Sequence, residues 1–232
     1  MMAIHRHRLL SGARAARGLA VVIDVFRAFS TAAYAFDRGA SEVVLVGPVE
    51  DAFALRRRWP DALIIGEVDG RRVAGFDFGN STSAIARADL RGRRLIQRTS
   101  AGTQGVLAAE GADEIVLGSF VCAAAIVRYV RRRRPAEVSL VAMGVGAKRP
   151  APEDEACAEL LEARMRGTTV DEHALLARLE SGGAGERFEE DSEDFPLADV
   201  SHCLRLDVFD FVLTVERRDG LVVATRKSPE VG

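Results

Sequence analysis

Lysine is nearly missing from this 232-residue chain: of its 32 bases, all but Lys148 and Lys227 are arginines. Long apolar runs are missing too. No stretch approaches the roughly 20 uninterrupted apolar residues of a membrane span, and the basic opening MMAIHRHRLLSGARAARG lacks the apolar core of a secretory signal. Cysteine is scarce and scattered, with Cys122, Cys157 and Cys203 too far apart for a paired disulfide framework or a CxxC metal site. Net charge is also lacking, because 34 acids and 32 bases leave a formal −2. These absences predict a soluble protein of a reducing cytoplasm with no membrane or nucleic-acid partner. Any anion site has to be local.

What is present is a globular composition, 48% hydrophobic, enough to fill a core. Short β-branched runs alternate with alanine-rich segments, the pattern of a sheet with crossover helices. Strands are predicted at Val21 to Val25, Val43 to Val46, Ala62 to Ile65, Arg94 to Gln97, Glu114 to Leu117 and Val138 to Ala142. Helices are predicted over Ala28 to Arg38 with Gly39 as C-terminal cap, from Val49 to before Pro60, and over 103–110, 120–133 and 153–165. FVLTVER and LVVATRK flank Asp219-Gly220, which suits a tight hairpin turn and a closing antiparallel ribbon. SGGAGE (Ser181 to Glu186) reads as flexible, and the run through Glu189, Glu190, Asp191, Glu193 and Asp194 as solvated surface. The expected architecture is a layered α/β/α fold with a mostly parallel or mixed sheet and a C-terminal β-hairpin. Residues 1–18 read as a basic, flexible segment and 19–232 as one domain, divisible into two subdomains near 118.

In open α/β sheets ligands bind beyond the carboxyl ends of strands, so polar residues there are the candidates. Asp24 ends the first predicted strand and Arg27 opens the next helix, giving a metal-binding carboxylate and an oxyanion-binding guanidinium one loop. The alternative is a helix cap and its ion pair. GFDFGNS sets Asp77 between two phenylalanines, then offers Gly79, Asn80 and Ser81, whose amides could approach an anion. A plain turn explains the glycines but not the costly carboxylate. RTSAGT offers Arg98, Thr99, Ser100, Gly102 and Thr103 as a phosphate cradle, against an ordinary N-cap; Ser119 is a weaker instance of the same. MGVGAKRPAPEDEAC brings Glu153 and Asp154, carboxylates suited to Mg²⁺ but also ordinary complements of a helix dipole. GVGAKR has Arg149 where a dinucleotide fingerprint needs its third glycine. Asp24-Val25-Phe26 lacks the second aspartate of a DxD-type phosphoryl-transfer loop. Cys122 and Cys157 read as core residues.

Taken in order, VVIDVFRAFSTA, GFDFGNS, TSAGT, LGSFVCAAA and EDEACAE resemble the 2-phosphosulfolactate phosphatase family, from about Val21 to Arg166 with a looser continuation. The resemblance implies a Mg²⁺-dependent phosphoric monoester hydrolase that converts 2-phospho-3-sulfolactate to sulfolactate and phosphate, in some organisms on the route to coenzyme M. It assigns Asp24 and Arg27 to the first strand-end motif, Asp77, Gly79, Asn80 and Ser81 to the glycine-asparagine-serine loop, and Glu153 with Asp154 to the acidic pair. The chain departs from the family pattern at Ala101 and Cys122, where asparagine is usual, and at Thr82, where proline is common. On this reading Asp24, Arg27, Asp77, Glu153 and Asp154 are catalytic and Asp24, Glu153 and Asp154 hold the metal. Arg98, the 79–81 amides, Thr99, Ser100, Gly102, Thr103 and Ser119 bind a small phosphorylated acid. A non-catalytic binder of such acids is the alternative, and a homodimer is expected from exposed helices or sheet edges.

Overall fold

The computed structural model describes residues 2–230. In chain order the elements are β1 (Ala3–Arg8), α1 (Leu9–Ala15), β2 (Leu19–Ile23), α2 (Ala28–Asp37), β3 (Glu42–Val46), α3 (Val49–Arg58), β4 (Leu63–Gly66), α4 (Thr82–Ile85), β5 (Arg94–Arg98) and α5 (Gly102–Ala108). They continue with β6 (Glu114–Gly118), a 3-10 turn (Phe120–Cys122), α6 (Ala123–Arg133), β7 (Glu137–Ala142), α7 (Pro152–Arg166), α8 (Glu172–Ser181), α9 (Ala198–Cys203), β8 (Val212–Arg218) and β9 (Leu221–Lys227). The expected α/β class, with helices between strands and a C-terminal hairpin, is what forms.

Strand propensity and burial agree where the sheet is deepest. All five residues of β2 are buried, as a parallel strand covered on both faces requires. Helix α2 is buried from Ala28 through Phe36, and its small alanines allow that close approach. It ends in a Schellman motif: Gly39, at φ +93°, donates to the Phe36 carbonyl and Ala40 to that of Ala35. The 219–220 turn has positive φ at both residues, the type I′ geometry that matches strand twist.

One nine-stranded sheet holds everything, in the order β1-β7-β2-β6-β8-β9-β3-β5-β4. Strands β1, β7, β2 and β6 are mutually parallel, and so are β3, β5 and β4. The hairpin β8–β9 sits between these groups and pairs antiparallel with both β6 and β3. Three antiparallel pairings in succession mean that the two groups run in opposite directions. The carboxyl ends of β2 and β5 nonetheless meet: Gln97 of β5 donates to the Ala28 carbonyl at the start of α2 (2.9 Å). The sheet runs without a break through both sides of residue 118. The segment expected to be loose, 1–18, instead supplies the edge strand β1, in register with β7 from Ala3 to Arg8, and helix α1.

Candidate functional site

The loop after β2 is built around carboxylates that clamp backbone. Asp24 accepts from the Ala28 amide (3.1 Å) and from the Gly102 amide at the start of α5. A side chain at position 102 would strike Ala28 Cβ at 2.7 Å and Asp24 Oδ2 at 2.8 Å, so glycine is what lets α5 abut this loop. Asp154, in the first turn of α7, accepts from the Val25 amide (2.7 Å) with one oxygen and the Gly144 amide (2.8 Å) with the other. It thereby ties the ends of β2 and β7 together. Glu153 beside it is 4% exposed and forms no ion pair among the described residues.

Burial dominates the titration of these acids. It lifts Asp24 to about 6, opposed by the Ala28 and Gly102 amides and aided by the charge of Glu67. It lifts Glu153 to about 7, opposed by its own amide and Arg187 and aided by Asp24. Asp154 is raised by burial and then by Asp24 and Glu153. Asp24 raises both Glu153 and Asp154, and Glu153 raises Asp154, which marks a concentration of negative field. Among the described residues, however, no group of three or more His, Cys, Asp or Glu side chains is arranged to hold a metal ion. Asp154 gives both oxygens to amides and so also serves as a clamp; Asp24 and Glu153 beside it are carboxylates of the kind Mg²⁺ takes, one or two at a time with several waters kept.

Arg27 stands differently from the expectation of a free oxyanion grip. It is 2% exposed, follows a cis Phe26–Arg27 peptide, pairs with the fully buried Asp199 at 2.8 Å, and donates to the Gly70 carbonyl at 3.3 Å. Asp199 also accepts from the Ser81 hydroxyl (2.9 Å) and the Ser83 amide (2.8 Å). Ser81 in turn caps α4, so it braces this pair. Asn80, beside it, keeps a buried Oδ1 without a partner, and Gly79 packs against Arg72. Asp77 accepts from the Ile64 amide (2.7 Å) and pairs with Arg56 on α3, which resolves the cost of a carboxylate between phenylalanines.

The RTSAGT loop is largely closed on itself. Thr99 and Thr103 exchange bonds, with Thr99 N–H to Thr103 Oγ1 at 2.9 Å and Thr103 N–H to Thr99 Oγ1 at 3.0 Å. Arg98 donates to the Gly47 and Glu67 carbonyls (3.1 and 2.7 Å). Ser100 gives both its amide (2.6 Å) and its hydroxyl (2.9 Å) to Glu67. Ser119 is buried next to Gly118, whose carbonyl accepts from the Asp24 amide, and caps nothing with its side chain. Ala101 occupies the N-cap of α5 without a cap bond. Cys122 is buried, and burial pushes its thiol up, with Asp207 adding to the shift and Arg226 opposing it.

Sequence reading missed Glu67, Asp199 and Arg187. Glu67 is buried, fastens Ser100 and the Gly70 amide (2.6 Å), and adds to the field at Asp24. Arg187 lies in the segment read as flexible and solvated; it is exposed, yet its charge is felt at both Asp24 and Glu153. Phe188 and Phe195 are the signal that could have exposed this: aromatics inside an acidic run anchor it. Phe188 packs edge-on to Phe26 (5.2 Å) and Phe195 (5.9 Å), and Arg27 lies over both rings.

The family model for 2-phosphosulpholactate phosphatase matches residues 4–218. A protein of Bacillus subtilis (strain 168) named a probable 2-phosphosulfolactate phosphatase is 32% identical over 225 residues, covering 94% of this chain and 93% of its own. One of Thermoplasma acidophilum with the same name is 30% identical over 90% of each chain. A third, of Deinococcus radiodurans, is 36% identical over 56% of this chain and 55% of its own.

Proposed function

Because the chain belongs to the 2-phosphosulfolactate phosphatase family, we propose that it hydrolyses the phosphate ester of 2-phosphosulfolactate or a related phosphorylated hydroxyacid, with Mg²⁺ as cofactor. The observation that carries this reading is the meeting of Asp24 and Glu153, buried and raised to about 6 and 7, within the field of Arg187. Such acids are unfavourable in isolation and are relieved by a cation.

Asp24 and Glu153 would hold Mg²⁺, which supplies charge neutralisation to the phosphoryl oxygens when bound. The rest of the work falls to the chain. Gly102 N–H and Ala28 N–H aim Asp24, and Asp154 fixes the spacing of the loops that carry Asp24 and Glu153. The ion pair of Arg27 and Asp199 secures the wall beside them. The test is release of inorganic phosphate from 2-phosphosulfolactate and a panel of phosphohydroxyacids, with and without Mg²⁺. Full activity in EDTA would remove the metal from the reading, and no release from any member would remove the phosphatase.

A further inference from the structure

The charges around the site do not balance. Asp24, Glu153, Asp154 and Glu67 are four carboxylates. Arg27 is neutralised by Asp199 within a buried pair, and Arg98 is held by carbonyls. Arg187 is left: it forms no ion pair among the described residues, and the acids that influence it are Glu153, Asp24 and Glu67. Its guanidinium carbon lies 5.2 Å from the Phe195 ring centroid and 5.6 Å from that of Phe188. Those rings are seated on the site from two sides. Phe188 meets Phe26, two residues past Asp24. Phe195 packs on the backbone of Gly70, at φ +85°, whose amide is bonded to Glu67.

Held over these rings and without an ion pair or side-chain hydrogen bond among the described residues, the Arg187 guanidinium keeps its N–H groups available, and its edge matches two oxygens of one acid group. We infer that Arg187 recognises the acid group of the substrate that is not transferred, a sulfonate or carboxylate, and so sets specificity for phosphate esters that carry a second anion. The inference rests on the proposed phosphatase reading and deepens it. An ester bearing a further negative charge is repelled by the carboxylates that would hold the cofactor. Arg187, exposed and within the field of Asp24 and Glu153, offsets that repulsion.

The test compares wild type, Arg187→Ala and Arg187→Lys on 2-phosphosulfolactate, on 2-phospholactate, which keeps the carboxylate alone, and on p-nitrophenyl phosphate, which has no second acid. A charge-assisted contact of this kind is worth about 10- to 100-fold. Arg187→Ala is expected to lose that factor in kcat/KM on 2-phosphosulfolactate beyond any loss on p-nitrophenyl phosphate, mostly through KM, with Arg187→Lys between. Loss shared with 2-phospholactate assigns the contact to the carboxylate; loss confined to 2-phosphosulfolactate assigns it to the sulfonate. An equal loss on all three substrates overturns the inference. Calorimetry with sulfolactate separates the two readings. Binding weakened at least about 10-fold by Arg187→Ala supports this one even if no enzyme form releases phosphate, and unchanged sulfolactate binding overturns it.

Discussion

Two walls of the site contrast. On the β2, β5 and β7 side nearly every polar group is answered within the chain: Asp154 by two amides, Thr99 by Thr103, Glu67 by Ser100 and Gly70. On the opposite side, residues 187–199 are tied down at Asp199 and through Phe188 and Phe195, while Arg187 forms no ion pair among the described residues. The lesson is that polar residues at strand ends are not interchangeable candidates. Those with full complements of partners build the frame, and those left short among the described residues, such as Glu153, Arg187 and the Asn80 Oδ1, are the ones with chemistry to spare.

That contrast can be broken by substitution. Asp24→Asn is expected to lower kcat for phosphate release about 10²- to 10³-fold with the Tm little changed; wild-type turnover in the purified variant removes Asp24 from the reaction. Asp199→Ala strands the buried Arg27 charge and should cost roughly 3–5 kcal/mol in urea unfolding, far more than an exposed pair.

Glu153→Gln sharpens the comparison through pH. Glu153 ionises at about 7 in the folded protein against 4.5 as its ordinary value. Its raised folded-state value makes it a source of stability below pH 4.5 that is lost as pH rises through 7. In EDTA the Gln variant should thus exceed wild type by up to about 3 kcal/mol at pH 8 and match it near pH 4. Chemical denaturation at the two pH values decides this, and a gap that widens on acidification contradicts it. Mg²⁺ should close the gap at pH 8 by stabilising wild type alone. The smallest effect is expected at Asp77→Ala, which loses an exposed pair and one amide bond, about 1 kcal/mol, and leaves kcat within about twofold. A large loss of kcat there would return Asp77 to the site.

Strands β2 to β7 and helices α2, α3, α5, α6 and α7 were legible because burial on both faces writes itself as continuous apolar runs between turn residues. Strand β1 was not. His5, Arg6, His7 and Arg8 lie along an edge, where Arg6 and Arg8 pair with Glu162 and Glu155 of α7 instead of entering the core. At the site, Asp24 and Glu153 could be found because each stands beside a strand end or helix start. Asp199 could not: it meets Arg27 across 172 positions of sequence, from a six-residue helix with no local mark of function. Asp77 shows the converse, since its surroundings in sequence named the cost of the carboxylate but not Arg56, which meets it.

The hairpin β8–β9 has a consequence for the order in which this chain is made. Its two strands emerge from the ribosome after the seven others, yet they fill the middle of the sheet. Until they arrive, β6 and β3 each present an open edge, the kind of template on which nascent chains adhere to one another. Synthesis therefore ends by closing a gap that it has held open for about a hundred residues, from Glu114 to Val212.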